Sequence, residues 1–160
     1  MLVPGDMAPE FTGRTSDGGT FKLSDLRGSS VILYFYPRAN SPGCTRESLS
    51  FAHLSPAFGD RGVRIVGVSV DEIEEQRRFS ERCSLPFPLV SDATKEVARL
   101  YGVLGAFGHA KRVTFYLDPQ GRVLQVVDSI LPGPHVQRAR DLWLGTPAPG
   151  PSPTASPSPR

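Results

Sequence analysis

Residues 31–47 read VILYFYPRANSPGCTRE, and the fold turns on how this stretch divides. Its first six residues are aliphatic, β-branched or aromatic without polar alternation. That predicts a strand buried on both faces rather than one lying on a wet surface. Residues 37–43 are turn formers, and from Gly43 to residue 54 the chain is helix-compatible, with Phe51, Leu54 and Phe58 at helical spacing. Pro56 is expected to interrupt that helix near its end. A second apolar run, RIVGVSV at 64–70, supplies a returning strand, so the segment is a β-α-β unit whose crossover should be right-handed.

The pattern continues outward on both sides. Residues 71–82 predict a second helix, with Asp71 as N-cap and Glu74 completing a capping box. A short third helix is expected over 94–101. Residues 113–117 and 123–127 flank Asp118-Pro119-Gln120-Gly121, a type I turn sequence joining an antiparallel hairpin. Residues 135–144 (HVQRARDLWL) close the series as an amphipathic helix, and residues 10–13 and 20–23 predict a small N-terminal hairpin. The order β-α-β-α-(α)-β-β-α describes an α/β domain over residues 1–144, a mixed central sheet with helices on both faces. A thioredoxin-like sandwich fits, and pattern alone leaves a flavodoxin-like arrangement open.

Residues 145–160, GTPAPGPSPTASPSPR, hold six of the chain's 16 prolines and no large apolar side chain. Such a segment cannot bury enough surface to offset its ordering entropy, so a disordered tail is expected, with docking to a proline-binding partner as the alternative. The bulk numbers suit one globular domain of 160 residues: 39% hydrophobic, 21% charged and a net charge of +2. That balance gives no electrostatic case for nucleic acid or a membrane surface. No run of 18 apolar residues exists, and the N-terminus carries Asp6 and Glu10 with no signal-peptide core, so the expected location is the cytoplasm. Two cysteines cannot form a disulfide framework, and in a reducing compartment a disulfide between them would be transient and catalytic. His53, His109 and His135 are scattered and make no metal spacing with the cysteines. GVLGAFG at 102–108 lacks the strand-to-helix setting of a phosphate loop and is taken as an ordinary loop.

Chemistry concentrates at Cys44. It stands where a buried strand gives way, through a turn-rich loop, to a helix. Free N–H groups and the positive end of the dipole at a helix start favour a thiolate over a thiol, and the thiolate is the nucleophile. On that context alone, a small buried core residue fits equally well.

Pro37-x-x-x-Ser41-x-x-Cys44 resembles the Pro-x-x-x-(Thr/Ser)-x-x-Cys motif of peroxiredoxins. The surrounding YFYP…SPGCTRE is similar to the bacterioferritin-comigratory-protein or peroxiredoxin Q subfamily. The likeness runs from about residue 3 to 144. It takes in GDMAPEFTGRTSDGGTFKLSDLRG, GVSVD at 67–71, LPFPLVSD at 85–92, YGV at 101–103 and Arg112-Val113-Thr114-Phe115. The resemblance implies a thioredoxin-like fold and a thiol-dependent peroxidase acting on hydrogen peroxide and organic hydroperoxides. Cys44 becomes a sulfenic acid and is recycled by thioredoxin or small thiols, without metal, haem, flavin or nicotinamide. It also implies roles. Arg112 holds the thiolate and orients peroxide oxygen, Ser41 bonds the peroxide, Pro37 shields the sulfur, and Glu47 orients the arginine. Each has an ordinary alternative when taken singly: ion-pair residue, turn residues, first-turn carboxylate.

One position departs from the subfamily. Many members place a resolving cysteine five residues after the first, where this chain has Leu49. Cys83, 39 residues after Cys44, is left as the candidate resolving thiol, about one turn from the place some members use. As it follows Phe79 by four residues, it fits a packing role too. The subfamily implies a monomer or weak dimer. A dithiol oxidoreductase is disfavoured because no Cys-x-x-Cys is present. A peroxide sensor or redox-regulated binding module stays open as the alternative to the enzyme.

Overall fold

A computed structural model describes residues 1–145, so the proline-rich stretch 145–160 lies, but for its first residue, outside the described residues. In chain order the elements are β1 (Thr12–Thr15), β2 (Thr20–Lys22), a 3-10 turn (Leu23–Leu26), β3 (Ser30–Phe35), α1 (Pro42–Asp60), β4 (Val63–Ser69), α2 (Ile73–Cys83), β5 (Leu89–Ser91), α3 (Glu96–Leu100), β6 (Val113–Leu117), β7 (Val123–Asp128) and α4 (Pro132–Trp143). The strands form one sheet in the order β2-β1-β5-β4-β3-β6-β7. Only β3–β4 and β4–β5 pair in parallel; β6, β7 and the N-terminal hairpin run antiparallel. The fold is therefore the expected thioredoxin-like sandwich and not a flavodoxin-like parallel sheet.

Alternation along β3 divides the interior into two cores, as a strand with period two and helices on both sides must. Val31, Leu33 and Phe35 face Phe11, Val97, Tyr101 and Phe115 on the side of α3 and the N-terminal segment. Ile32, Tyr34 and Tyr36 face Cys44, Phe51, Phe58, Phe79 and Ala139 on the side of α1, α2 and α4. The aromatic rings of this second core fit because Gly67, at the middle of β4, has no side chain. A Cβ there would lie 2.8 Å from Leu89 Cδ2 and 2.9 Å from the Tyr34 ring. Buried Gln76 of α2 donates to Ser69 Oγ (2.8 Å) and to the Val90 carbonyl (2.9 Å), and accepts from the Tyr36 hydroxyl. It thereby ties the helix to three strand ends.

Four details depart from the sequence expectations. α1 is not broken at Pro56 but continues to Asp60. Proline in a helix interior costs about 3 kcal/mol, whereas Phe51 and Phe58, both fully buried on either side of it, bring about 1.5–3 kcal/mol each. Pro56 itself is exposed, so its ring meets no packed neighbour. Secondly, Asp71 does not cap α2. The N-cap is Glu72, with no side-chain bond, and Asp71 Oδ2 instead accepts from the Ala39 N–H (2.7 Å) and Ser69 Oγ (2.6 Å). Thirdly, β5 was not foreseen: three residues behind Pro86 and Pro88 are too few to show alternation, and pairing with β4 and β1 makes the strand. Finally, α4 starts three residues early, at Pro132, whose missing N–H costs nothing at a first helical position. Residues 102–108 form a loop, closed by a bridge between Leu104 and Ala110. Among the described residues no helix is long and apolar enough to cross a membrane.

The continuous α1 yields a prediction. Pro56→Ala restores a helical N–H on an exposed face, and should raise unfolding stability by about 1–3 kcal/mol, less than the full proline penalty because proline also restricts the unfolded chain. A urea titration with an unchanged midpoint would show that the helix loses nothing at Pro56.

Candidate active site

Cys44 is the third residue of α1 and fully buried. Pro42 opens the helix with its fixed φ and absent donor. The first helical bond runs from the Thr45 N–H to the Ser41 carbonyl (2.8 Å), so the N–H groups of Gly43 and Cys44 lie ahead of the ladder. The loop leading in is anchored at two points: Ala39 on Asp71, and Asn40, whose φ of 69° is one asparagine tolerates, through its Oδ1 accepting from Arg82 Nε (2.9 Å).

Arg112 stands one residue before β6. Because β6 runs antiparallel to β3 with Val113 opposite Phe35, the arginine emerges beside the end of β3, where the Cys44 loop begins. Its Nη2 donates to Cys44 Sγ (3.4 Å), its Nη1 to Glu47 Oε1 (2.6 Å) and its Nε to the Ile130 carbonyl (3.0 Å). Burial disfavours the guanidinium charge, but Glu47 and Cys44 outweigh it and the arginine holds its proton more tightly than usual. Thus all three nitrogens are engaged, and the planar fork fits a task a lysine could not do.

Glu47 follows Cys44 by three residues and is fully buried. Its Oε2 has no hydrogen-bond partner, and His135 Nδ1 lies 3.8 Å away. Burial pushes its pKa up, and the Arg112 charge and hydrogen bond only partly offset this, leaving it at about 7. Ser41 is the N-cap of α1 but caps nothing; its Oγ donates to the Arg38 carbonyl (2.9 Å), which leaves the oxygen lone pairs open. Pro37, half-buried, lines with Arg112, Lys111, Asp128, Ser129 and Ile130 a cleft of about 210 Å³. A larger groove of about 410 Å³ lies between α1 and α4 over Leu49, His53 and Val136, but none of the candidate residues lines it. The smaller one is distinguished by Arg112, which lines it and bonds the buried Cys44 sulfur.

Of the six residues singled out from sequence, Cys44, Arg112 and Glu47 are joined by direct bonds, while Ser41 and Pro37 lie on the loop before the sulfur. Cys83 stands apart as the last residue of α2, partly buried against the same core as Cys44, and both thiols are free. His135 was not singled out. It is fully buried, with Nδ1 2.8 Å from Thr114 Oγ1 and Nε2 2.8 Å from the Ser129 carbonyl. Nothing in the linear sequence signals this, because its partners come from β6 and the β7–α4 loop. His109 bonds Arg38 (3.0 Å), and among the described residues no three of His, Cys, Asp and Glu are grouped to hold a metal ion.

The chain and its fold have relatives among known proteins. Residues 4–126 match the AhpC/TSA family. A protein described as a putative peroxiredoxin of Mycobacterium tuberculosis is 36% identical over 146 residues, covering 87% of this chain and 93% of the relative. The crystal structure of peroxidoxin BcpB from the same organism superposes with a TM-score of 0.82 at 34% identity, covering 87% of this chain and 94% of that one. A Xanthomonas campestris bacterioferritin comigratory protein, from a study of its alkyl peroxide reduction, gives a TM-score of 0.79 at 30% identity, covering 89% and 94%.

Gly43 supplies a test of the geometry. A Cβ on it would sit 3.0 Å from Arg112 Nη2, tight enough to push the guanidinium back by a few tenths of an ångström. Gly43→Ala should slow oxidation of Cys44 by on the order of 10-fold, since small misplacements of reacting groups are costly. It should also raise the melting temperature, as alanine favours a helix by about 0.5–1 kcal/mol over glycine. Stopped-flow oxidation at wild-type speed would mean that the Arg112–Cys44 contact does not limit the reaction.

Proposed function

Since the chain belongs to the AhpC/TSA family and is a peroxiredoxin, a thiol-dependent peroxidase, we propose that Cys44 is the sulfur that reduces the peroxide and Arg112 the group that holds it in place. The observation that carries the reading is the buried donor contact from Arg112 Nη2 to Cys44 Sγ, made by a guanidinium whose other donors are fixed by Glu47 and Ile130.

The Cys44 thiolate attacks the terminal oxygen of ROOH, the S–O bond forms as O–O breaks, and RO⁻ leaves and takes up a proton to become ROH. Arg112 supplies a fixed positive charge where the negative charge moves from sulfur to the leaving oxygen, so little reorganisation accompanies the step. Ser41 Oγ, with lone pairs free, accepts a hydrogen bond from the O–H of the peroxide under attack, and Pro37 closes one side of the cleft without offering a competing N–H. The sulfenic acid on Cys44 then condenses with a thiol, releasing water and forming a disulfide, which a second thiol reduces. No metal or organic cofactor takes part, because sulfur itself carries the two electrons.

Cys83 is the proposed internal resolving thiol. It ends α2 next to Arg82, which already binds Asn40 in the loop before Cys44, so a local opening of these two helix ends brings the sulfurs together. Thioredoxin or a small thiol would then reduce the Cys44–Cys83 disulfide, with a monomer or weak dimer in the cytoplasm as the working form and residues 1–144 as the catalytic domain.

Cys44→Ser should abolish peroxide consumption, as an alcohol is hardly ionised near neutral pH. Arg112→Lys, which retains the charge but not the fork, should slow the first oxidation by roughly 10²-fold or more. A coupled assay and rapid mixing measure both; full activity of either variant refutes the corresponding role. For Cys83, one equivalent of peroxide on dilute protein should produce an intramolecular disulfide in non-reducing peptide maps. Recovery of Cys44 only as sulfinic acid or as an adduct with added thiol, with Cys83 free, would make the protein a one-cysteine enzyme.

A further inference from the structure

We propose that His135 is a positioning residue of this site: with Thr114 it governs whether Glu47 carries a proton, and Glu47 in turn divides the Arg112 guanidinium between carboxylate and sulfur. The inference rests on the assignment of Cys44 and Arg112 above.

The hydrogen-bond directions are fixed by chemistry. His135 Nε2 faces the Ser129 carbonyl, which can only accept, so Nε2 bears the hydrogen. Burial holds the imidazole pKa below its ordinary value, with the nearby Arg112 charge acting the same way and the bond to Ser129 opposing. The ring is therefore neutral, Nδ1 presents a lone pair, and the Thr114 hydroxyl must be the donor in their 2.8 Å contact. The Tyr116 hydroxyl donates to the His135 carbonyl (2.6 Å) and pins the start of α4, while Thr114 and Ser129 hold the two ring nitrogens.

Glu47 meets this lone pair from the other side. One oxygen accepts from Arg112, while Oε2, buried and without a donor, points toward Nδ1 at 3.8 Å. Two facing acceptors repel. Although the pair is a carboxylate and a histidine, it is no ion pair while the imidazole is neutral. A proton on Oε2 removes the conflict: the protonated carboxyl can donate a hydrogen bond to Nδ1 once the two close by less than an ångström, with the Thr114 hydroxyl turning its hydrogen away from the ring.

Other groups around Glu47 cannot take over this role. Tyr34 from β3 and Tyr116 from β6 are pushed well above the ordinary phenol range by burial and stay neutral. Arg112 stays charged, and Asp128, which acts on His135, is paired at the surface with Lys111 (3.0 Å). Cys44, on the same helix as Glu47, is the reacting group itself. With Glu47 protonated, the Arg112 charge is committed to the sulfur; with Glu47 ionised, it is shared.

The experiment follows the Glu47 carboxyl by carbon NMR in reduced protein labelled at the glutamate side-chain carbonyl, with Glu47→Gln used to assign the resonance. In parallel, the rate of Cys44 oxidation is measured across pH. Wild type should titrate near 7, and the rate profile should carry the same inflection, absent in Glu47→Gln. His135→Phe leaves Glu47 as buried as before but without an acceptor, and should move the titration down by about one pH unit. Thr114→Val is isosteric and frees Nδ1 for the Glu47 proton, so it should move the titration up. Opposite shifts support the proposal, and a titration unmoved in both variants overturns it. If His135→Phe does not fold, Thr114→Val decides alone. Failure of Cys44 to react with peroxide in wild type would sink the assignment of the sulfur while leaving the carboxyl titration intact.

Discussion

The guanidinium of Arg112 ties three parts of the chain together: the start of β6, the first turns of α1 and the loop before α4. It is 68 residues from Cys44 and 65 from Glu47 in sequence, yet it bonds both, and its third donor reaches the loop that leads into α4. A buried cation is tolerated only where such partners replace water, and taking one partner from a buried pair costs about 3–5 kcal/mol because the other is left uncompensated. The contacts that make the buried guanidinium tolerable thus include the one to the sulfur. Glu47 balances the arginine's charge, and in the function proposed above it also limits how much of that charge the sulfur receives.

This division of labour explains why the carboxyl is so deeply buried. An exposed glutamate would be ionised throughout the neutral range and would draw the guanidinium permanently toward itself. Burial, with one oxygen unpaired, raises its pKa to about 7, where its charge responds to its immediate neighbours. The neighbours are drawn from β3, β6 and α4, so the state of the carboxyl reports the packing of three elements at once.

How much of this was legible in the sequence depends on the range of the interactions. The doubly buried β3, the β6–β7 hairpin with its Asp118–Gly121 turn, and the existence of all four helices could be read from local pattern. The path of α1 through Pro56 could not, because it depends on what Phe51 and Phe58 find on the sheet. Nor could Asp71, whose sequence position suits a cap but whose carboxylate is taken by Ala39, 32 residues earlier. At the site, Cys44 had a local signature, whereas Arg112, Glu47, Ser41 and Pro37 were legible only through resemblance to a family. His135 had neither: its neighbours Thr114 and Ser129 become neighbours only when α4 docks.

The antiparallel register of β3 and β6 has a last consequence. Side chains alternate between the sheet's faces, so a slip of one residue in this pairing would carry Arg112 to the opposite core, away from Cys44. The slipped chain would retain most of its hydrogen bonds and still be compact. What it would lose is the contact between Arg112 and the Cys44 sulfur. Two compact forms of one chain, nearly alike in backbone bonding, would then differ in a single electrostatic contact, the one between guanidinium and thiol.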